Sequence, residues 1–468
     1  MAAPRLRGVP DWIWVLGLIL AVPALVLWLG FLPPDDGLRH CAKAVSGRPW
    51  SDVVLLRPGM TLDHNVGWHG FLGAVHWVTG WGPQGLLAFS ILLSFATFNT
   101  VGFVVSRTTW GWLLALVGVS LLGGSFVTRL WLGRPFFVML AVWLVLLKLW
   151  DAAPCRPRTL LITTSLIALS TWVHGAWYLF FFLVPPLLLV RGLGGAGRYF
   201  ACCCVGSGVG VGLSGNGVER VELVVGIVTG VTKSVVVGRG EAPLVKEFLP
   251  MPHQAAWLIV VLLLGGVLLL RCAGKSFREV CWNLPFLTAM LALGVGLKVG
   301  RFWLDLGAPA CCLWLAEGFR KGPMQLGIAK AKFALVLGWV CACPALICGG
   351  IDKSPLWDPA TPPEYLPQPG SVVFNGNMGT FMRAYFENPW LNYRFAVGYE
   401  PTLSPPEIYR GIAPIWNKPD NPGSYEPWVA LMQSNDLLTL RKDSVPPPVP
   451  GVAWRECGPH FWVGRRLQ

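Results

Sequence analysis

The chain has 468 residues, of which 54% are hydrophobic and only 13% are charged. A soluble domain of this size needs more charge to cover its surface, so the composition excludes an ordinary soluble protein. The formal net charge of +13 does not indicate nucleic-acid binding, because the basic residues stand mostly in short loops between apolar stretches, where they act as topology signals.

Long apolar stretches recur along the first 350 residues, as bilayer-spanning helices require. We therefore predict an all-α polytopic membrane domain over residues 1–350, with about eleven transmembrane helices. The predicted spans are 12–32, 83–105, 110–125, 134–150, 159–173, 176–191, 198–213, 255–271, 282–299, 304–318 and 331–349.

The turns between these spans are basic on one side of the membrane. If the N-terminus lies in the cytoplasm, five successive inner loops are basic, which is a strong positive-inside pattern. Those loops carry Arg107, Lys148, Arg156, Arg158, Arg191, Arg198, Arg271, Lys275, Arg278, Arg320, Lys321, Lys330 and Lys332. The predicted location is thus the cytoplasmic (inner) membrane, multi-pass, with the C-terminal segment outside, in the periplasm.

The first outer loop, residues 33–81, opens on the sequence Pro33-Pro34-Asp35-Asp36-Gly37. Two adjacent carboxylates at a membrane exit can bind a divalent cation, or one of them can act as a general base. The competing interpretation is a turn alone, because Pro-Asp-Asp-Gly is a good turn sequence.

The rest of this loop contains two predicted helices and an extended stretch. Leu38–Val45 has the pattern of a short helix with a polar and an apolar face, and Val53–Leu56 is predicted to be extended. A second polar cluster, with Asp63 and His64, comes before an amphipathic helix that follows Asn65. That helix is too polar to face lipid and is predicted to lie in the membrane interface. It carries Trp68, His69, His76 and Trp77.

The outer loop at 214–254 is also long. Its 221–238 stretch is apolar and β-branched, but Gly226, Gly230 and Lys233 make it a poor span, so we predict an interfacial or loop segment.

The predicted topology gathers histidines and several acids at the outer face. Charged groups at span ends cost several kcal/mol when they face lipid, so they should point into a cavity that is open to that face. The alternative is that each residue simply lies in a solvated loop. The residues are His40, His64, His69, His76, His174, His253, His460, Asp35, Asp36, Asp63 and Asp305.

Composition changes after about Gly350, where Pro, Asn and Tyr become frequent. Residues 351–468 are predicted to form a small extracytoplasmic α/β domain. Its predicted elements are a strand at Ser371–Phe374, a helix at Met378–Glu387, and extended pieces at Tyr393–Tyr399 and Ala453–Val463. Cys41 and Cys457 both fall in outer regions and could form a disulfide.

An acidic pair after the first span, a juxtamembrane helix and a second polar cluster before the next span resemble the first outer loop of the glycosyltransferase C superfamily. Its members take sugars from polyprenyl-phosphate carriers, and an acid in this loop activates the acceptor or helps to hold a metal. The resemblance therefore allows a divalent Mg or Mn ion. The chain lacks Asp-X-Asp in this loop and Trp-Trp-Asp in the outer domain, which argues against an oligosaccharyltransferase and favours a monosaccharide-transferring member.

Three predicted outer turns fit the resemblance because each carries arginine or histidine. Thr128–Pro135 contains Arg129 and Arg134, Thr171–Trp177 contains His174, and Gly300–Asp305 contains Arg301. The outer arginines break the positive-inside rule and suit a lipid-linked phosphate, since guanidinium binds phosphate in a bidentate manner. The alternative is that they anchor the helices in lipid headgroups.

These patterns lead to one functional hypothesis and two rivals. The first is an inverting glycosyltransferase that uses a polyprenyl-phosphate-linked sugar in the membrane lipid, with an unknown acceptor. Asp35 or Asp36 would be the base, Arg129, Arg134 and Arg301 would bind phosphate, and Asp63 and His64 would line the sugar pocket or complete a metal site, with His174 and Asp305 as further substrate-binding candidates. The rivals are a transporter or flippase and a non-catalytic subunit of a membrane complex.

Overall fold

The computed structural model describes residues 10–33, 36–60, 63–122, 126–152, 156–215, 217–236, 249–320, 361–398, 400–441, 445–457 and 461–467, and positions 332, 336, 339, 356 and 357. Contacts between Cα atoms divide the chain into two compact units. Unit 1 comprises Met1–Phe31, Ala88–Gly215 and Val245–Ile351. Unit 2 comprises Leu32–Leu87, Asn216–Leu244 and Asp352–Gln468.

Unit 1 is helical throughout the part that the structure describes. Its helices are α1 (Asp11–Trp28), α4 (Pro83–Ser106, which begins in unit 2), α5 (Thr109–Leu122), α6 (Thr128–Trp131), α7 (Phe136–Ala152), α8 (Pro157–Val173), α9 (Val184–Gly212), α11 (His253–Cys272), α12 (Phe277–Cys281), α13 (Leu284–Gly296) and α14 (Ala308–Arg320). A 3₁₀ segment at Trp177–Leu183 leads into α9, and a π-helical segment at Trp303–Gly307 leads into α14.

Several of these helices are apolar on every face. Four helical stretches are long and apolar enough to cross a membrane: Asp11–Trp28, Pro83–Ser106, Trp177–Gly212 and His253–Cys272. Only 28% of the apolar window of α1 and of α11 is buried within the protein. An apolar helix that leaves most of its surface uncovered is stable in lipid rather than in water, because water penalises exposed apolar area. Unit 1 is therefore a helical membrane domain.

Helices α8 and α9 pack closely through small residues. A Cβ atom on Gly206 would lie 2.7 Å from the Thr164 carbonyl oxygen, and one on Gly210 would lie 2.5 Å from the carbonyl oxygen of Ala168. Glycines four residues apart bring two helix backbones together, as in the packing of membrane helices. The chain changes direction before this contact at Gly192, whose φ of 66° breaks the helix.

Unit 2 combines helices of the first outer loop with the C-terminal α/β domain. The loop contributes α2 (Gly37–Ser46), a 3₁₀ turn (Trp50–Asp52) and α3 (Val66–Thr79), and α10 (Gly217–Val236) follows later. The C-terminal part adds α15 (Met378–Glu387), α16 (Pro406–Asn417), α17 (Glu426–Val429) and strands β1 (Val372–Asn375), β2 (Arg394–Phe395), β3 (Leu437–Arg441), β4 (Val452–Cys457) and β5 (Phe461–Arg466). The sheet order is β2-β1-β3-β5-β4, parallel for β2-β1-β3 and antiparallel for the other pairs.

The first outer loop is joined to the edge of this sheet. Val54 forms a parallel bridge with Phe395 of β2. The Leu55 N–H donates to the Phe395 carbonyl at 2.8 Å, and the Phe395 N–H donates to the Val53 carbonyl at 2.9 Å. The hydroxyls of Ser46 at the end of α2 and Tyr385 of α15 lie 2.6 Å apart. The loop therefore contributes an added edge to the C-terminal sheet, which protects the β2 backbone from unpaired exposure.

Most predicted elements are present, with three differences. The predicted loop between the spans 176–191 and 198–213 is helical except at Gly192. The 221–238 segment is not a loop, since α10 is helical through Val236, although it is not among the four long apolar helices. Cys41 and Cys457 are both buried and are not joined by a disulfide. Of the predicted span 331–349 only positions 332, 336 and 339 are described, His460 lies outside the described residues, and the number of about eleven spans stays a prediction.

Candidate active site

Three arginines and an aspartate predicted from separate outer turns meet in unit 1. Asp305 Oδ1 forms an ion pair with Arg129 Nε at 3.0 Å, and Asp305 Oδ2 accepts a hydrogen bond from Arg301 Nε at 2.7 Å. The Asp305 side chain is fully buried, and that of Arg129 is 5% exposed. With Arg134, His174 and the Phe136 ring, these residues are called the arginine cluster.

The local backbone explains how Asp305 reaches two arginines. Asp305 lies in the π-helical segment Trp303–Gly307, where the wider helical turn disrupts the regular ladder of backbone hydrogen bonds. The Leu306 carbonyl in this segment accepts from the indole N–H of Trp143 at 3.2 Å. This contact holds the segment against α7, and it fixes the carboxylate between the two guanidinium groups.

The Phe136 ring, at the first position of α7, brings the other members together. The guanidinium carbon of Arg134 lies 5.6 Å from the ring centroid, and that of Arg301 lies 5.7 Å from it. The His174 ring packs edge-on against the same ring at 5.3 Å. His174 ends α8, and its Nδ1 accepts from the Ala176 N–H at 3.3 Å. Residues from the ends of α6, α8 and α13 therefore converge at the start of α7.

The charge of the arginine cluster is strongly positive. The cluster as defined contains three guanidinium groups and one carboxylate: Asp305 pairs with Arg129 and Arg301, and Arg134 lies beside the same Phe136 ring as Arg301. Arginine keeps its charge when it is buried, and its planar fork matches a phosphate. Arg134 is 7% exposed overall, and the Arg301 side chain is 14% exposed. Such a cluster can bind an anion and stabilise negative charge as it develops.

A second polar cluster lies in unit 2, and we call it the histidine cluster. It consists of Asp36, Arg39, His40, Asp63, His64, His69 and Arg220, which come from α2, the end of the first outer loop, α3 and α10. Asp36 precedes α2, and its Oδ1 accepts from Arg39 Nε at 2.8 Å. Asp35, the other acid of the predicted pair, lies outside the described residues.

Asp63 is held by two donors. Its Oδ2 lies 2.6 Å from His69 Nδ1, and its Oδ1 accepts from the Asn65 N–H at 3.0 Å. Burial raises the pKa of Asp63, but the charge and hydrogen bond of His69, together with the Asn65 N–H, outweigh burial and hold the pKa well below its usual range. The carboxylate is therefore ionised at neutral pH.

His64 lies among both carboxylates and both arginines of the cluster. Burial lowers the pKa of His64 to about 3, helped by Arg39 and Arg220 and opposed by Asp63 and Asp36. Arg220 is fully buried, and its Nη2 donates to the His64 carbonyl at 2.8 Å. His64 is therefore a neutral imidazole at physiological pH, suited to hydrogen bonding rather than to carrying charge.

The described residues do not fit the Mg or Mn ion that the resemblance allows. Among them, no group of three or more His, Cys, Asp or Glu side chains is arranged to hold a metal ion. The Asp36 carboxylate is paired with Arg39, and that of Asp63 is paired with His69. A divalent cation at either acid would have to displace a cationic or hydrogen-bonding partner.

The structure thus brings Arg129, Arg134, His174, Arg301 and Asp305 together in unit 1, and Asp36, Asp63 and His64 together in unit 2. Sequence reasoning placed His40 and His69 at the outer face without giving either a role in the site, and it did not single out Arg220. His40 and His69 are buried at 1% and 8% exposure, although both stand in stretches that the sequence marks as amphipathic helices. The available signal for this pair was a histidine on each of two predicted amphipathic helices that follow one another in the sequence.

No known family pattern and no curated relative matches the sequence. Solved structures do match the fold. Archaeal oligosaccharyltransferase AglB from Archaeoglobus fulgidus, in complex with an inhibitory peptide and a dolichol-phosphate, aligns with a TM-score of 0.51 at 12% identity, over 92% of this chain and 69% of that one. Arabinofuranosyltransferase AftD from Mycobacteria aligns with a TM-score of 0.49 at 13% identity, over 98% of this chain and 40% of that one.

At these identities the likeness concerns the fold alone. AglB is a membrane glycosyltransferase of the glycosyltransferase C superfamily. The resemblance to that superfamily, predicted from the first outer loop and the outer arginines, is therefore confirmed at the level of the fold.

Proposed function

We propose that the protein is a membrane glycosyltransferase that moves a sugar from a polyprenyl-phosphate carrier to an acceptor at the outer face of the cytoplasmic membrane. The observation that carries this proposal is the arginine cluster, in which two buried or nearly buried arginines pair with one carboxylate and a third, Arg134, lies beside the same Phe136 ring as Arg301. The structure of AglB, which has the same fold, contains a dolichol-phosphate, and that molecule is itself a polyprenyl phosphate.

The donor phosphate would bind between Arg134 and Arg301. Their guanidinium groups lie beside the same Phe136 ring, and this shared neighbour is the observation that supports a common phosphate site. Asp305 is fully buried between Arg129 and Arg301, and this geometry supports a positioning role rather than direct contact with the substrate. His174 borders the same ring and is a further candidate for phosphate contact.

Sugar transfer requires one proton transfer and one displacement at the anomeric carbon. The acceptor O–H bond breaks as a new bond forms between that oxygen and the anomeric carbon, and the bond from this carbon to the phosphate oxygen breaks. Asp35 or Asp36 takes the proton, the phosphate leaves with the electron pair, and the arginines stabilise its charge. Attack opposite the leaving group inverts the anomeric centre. Asp63 and His64 would line the sugar pocket.

The transporter alternative needs charge deep in the helical bundle. The charges of the arginine cluster instead stand where helices begin and end, at the start of α7 and the ends of α8 and α13. This placement favours a binding site at one membrane face over a pathway through the bundle.

The test is transfer of radiolabelled sugar from a polyprenyl-phosphate donor by the full chain in lipid vesicles. We expect Asp35→Asn or Asp36→Asn to lower turnover by about 100-fold or more, because each removes a base and keeps the size of the side chain. Asp52→Asn, in the exposed 3₁₀ turn of the same loop, is the matched control and should stay close to wild type. Full activity in both acidic-pair variants would leave only the turn interpretation.

A further inference from the structure

An exposed apolar patch lies at the end of α3, in unit 2. Trp77 is 85% exposed, Val78 is 74% exposed, and Trp81 in the turn that follows α3 is 45% exposed. Water penalises such apolar area, and a group of large exposed apolar side chains marks a surface that contacts a partner or a membrane. The end of α3 is therefore a candidate contact surface.

The turn that carries this patch has a fixed conformation. α3 ends at Gly80, whose φ of 69° is left-handed and whose N–H donates to the His76 carbonyl at 2.7 Å. The His76 ring donates in turn through Nδ1–H to the Trp81 carbonyl at 2.8 Å. A Cβ atom on Gly85 would lie 3.0 Å from Cβ of Trp81, so the Trp81 side chain packs against the first turn of α4. These contacts hold the apolar side chains at the surface.

The end of α15 supplies a further apolar side chain beside the same turn. Trp390 is 62% exposed, and its N–H donates to Asn388 Oδ1 at 3.1 Å. A cavity of about 460 Å³ separates the two segments and is lined by residues 80–85 of the turn and by Phe386, Glu387 and Pro389. We call Trp77, Val78, Trp81 and Trp390 the tryptophan patch.

The tryptophan patch lies at one end of the C-terminal sheet. The Gly370 N–H, just before β1, donates to the Asn392 carbonyl, just before β2, at 2.8 Å. Trp390 is therefore at the end of the sheet where β1 and β2 begin. At the other end of β1, the Gly376 carbonyl accepts from the indole N–H of Trp416 at 2.7 Å. The two ends of the sheet can thus be compared within one unit.

The position of α4 identifies what covers the patch. α4, Pro83–Ser106, is one of the helices that are long and apolar enough to cross a membrane, with a mean hydropathy of 1.8. Its 24 residues extend over about 36 Å, which exceeds a hydrocarbon core of about 30 Å, so its first turn lies close to the bilayer surface. Trp81 comes two residues before α4 and thus lies at the level of the headgroups, where tryptophan is favoured.

The lining of the cavity also favours lipid over a saccharide. Among the nine described residues that line it, the side chains that can form hydrogen bonds are those of Trp81, Gln84 and Glu387. The Glu387 carboxylate already accepts from Arg383 Nε at 2.9 Å and from the Leu356 N–H at 3.0 Å. A bound saccharide would leave several hydroxyl groups without partners here, which costs free energy. Lipid has no such requirement.

We infer that the tryptophan patch is a lipid-contacting surface. Trp77, Trp81 and Trp390 enter the headgroup layer at the bilayer surface where α4 begins, and phospholipid of that layer fills the cavity between the two segments. Sequence analysis predicts an interfacial position for α3 alone, whereas this surface includes the C-terminal domain. The end of the sheet where β1 and β2 begin therefore rests on the bilayer. The inference does not depend on sugar transfer.

Photo-crosslinking of the full chain in phosphatidylcholine vesicles tests this surface. Trp77, Gln84 and Trp390 are replaced one at a time by the photoreactive residue p-benzoylphenylalanine, and the vesicles contain radiolabelled phosphatidylcholine. The control is the same replacement of Lys418, which is exposed and lies two residues after Trp416, near the opposite end of the sheet. We expect each of the first three positions to form about 10-fold more lipid adduct than position 418, because the headgroup layer concentrates lipid around them.

Each result decides whether the surface contacts lipid. Adduct at positions 77 and 84 but not at 390 would exclude the C-terminal domain from the surface and overturn the inference. Crosslinked dimers at position 390 in place of lipid adduct would assign the patch to a second copy of the chain. Loss of the adduct at position 84 when soluble oligosaccharides are added would assign the cavity to a saccharide. A chain that transfers no sugar overturns the proposed function and leaves the lipid adducts unchanged.

Discussion

The arginine cluster of unit 1 and the histidine cluster of unit 2 differ in the balance of their charged groups. The first contains three guanidinium groups and one fully buried acid, which pairs with two of them, whereas the second balances two carboxylates with two arginines and adds imidazoles. An excess of fixed positive charge suits anion binding, and a balanced network with imidazoles suits movement of a proton. The two clusters are therefore suited to different kinds of chemistry.

The largest expected effect comes from replacing Asp305, the buried acid of the arginine cluster. Asp305→Ala leaves Arg129 and Arg301 buried together without their carboxylate, which should lower the free energy of unfolding by about 3–5 kcal/mol. Thermal unfolding of the purified protein in detergent measures this loss. Glu317→Ala is the control, because its ion pair with Lys148 is partly exposed and should contribute less than about 1 kcal/mol. Equal stability of the two variants would contradict the buried-pair account.

The second prediction separates phosphate binding from headgroup anchoring. Arg301→Lys and Arg134→Lys keep the charge but lose the planar fork, so kcat/KM for the polyprenyl-phosphate donor should fall about 10- to 100-fold. Arg278→Lys, on an exposed position of α12, is the control and should have no effect. A headgroup anchor tolerates this exchange since Lys snorkels equally well, and wild-type kinetics in both cluster variants would support that alternative.

The third prediction tests whether the histidine cluster depends on the sheet that supports the first outer loop. A Cβ atom on Gly398 would lie 2.7 Å from Cγ1 of Val54, so Gly398→Ala should push the 53–55 segment away from β2 and cost about 1–3 kcal/mol. At Gly423 the nearest atom would be an ordinary 3.5 Å away, and Gly423→Ala serves as the control. Urea unfolding followed by tryptophan fluorescence measures the difference. Similar midpoints for the two variants would exclude this dependence.

The smallest expected effect is a dependence of the unfolding free energy on pH, which arises in the histidine cluster. The folded-state pKa of His64 is lowered to about 3 from 6.5, so the unfolded chain binds more protons between these values, and stability falls as pH drops through 6.5. The lowered pKa of Asp63 adds a further loss below its unfolded value near 4. Between pH 7 and 5.5, His64 should account for about 1 kcal/mol.

His64→Gln should flatten the unfolding free energy across pH 5.5–7, and His76→Gln should leave the slope unchanged. Calorimetric unfolding at several pH values measures both slopes. An unchanged slope in His64→Gln would mean that His64 is protonated in the folded protein.

The sequence predicted the arginine cluster better than the histidine cluster, for a physical reason. Arg129, Arg134 and Arg301 break the positive-inside rule, and this violation is visible in the sequence without knowledge of the fold. His40 and His69 are 29 residues apart, and their pairing depends on how α2 packs against α3, which periodicity does not specify. Arg220 was missed because it lies beside a segment that was predicted to be interfacial or a loop, whereas the structure has a helix there.

In the C-terminal domain, too, an element that depends on nearby residues was predicted, and a contact between distant segments was not. The helix Met378–Glu387 was predicted with its observed bounds, because its periodicity and the Asn377 cap are local signals. The bridge between Val54 and Phe395 was not predicted, since nothing in either segment identifies its partner.

The hydrogen bond between the Ser46 and Tyr385 hydroxyls can form only late in synthesis, because these residues are 339 positions apart. Chains are made at roughly 5–20 residues per second, so α2 leaves the ribosome tens of seconds before the helix and strand that support it. The loop that carries His40 and Asp63 therefore has no contact with Tyr385 during that interval. Attachment of this loop to the C-terminal domain is a late step, and a nascent chain that has not yet received its last hundred or so residues should carry the loop without that support.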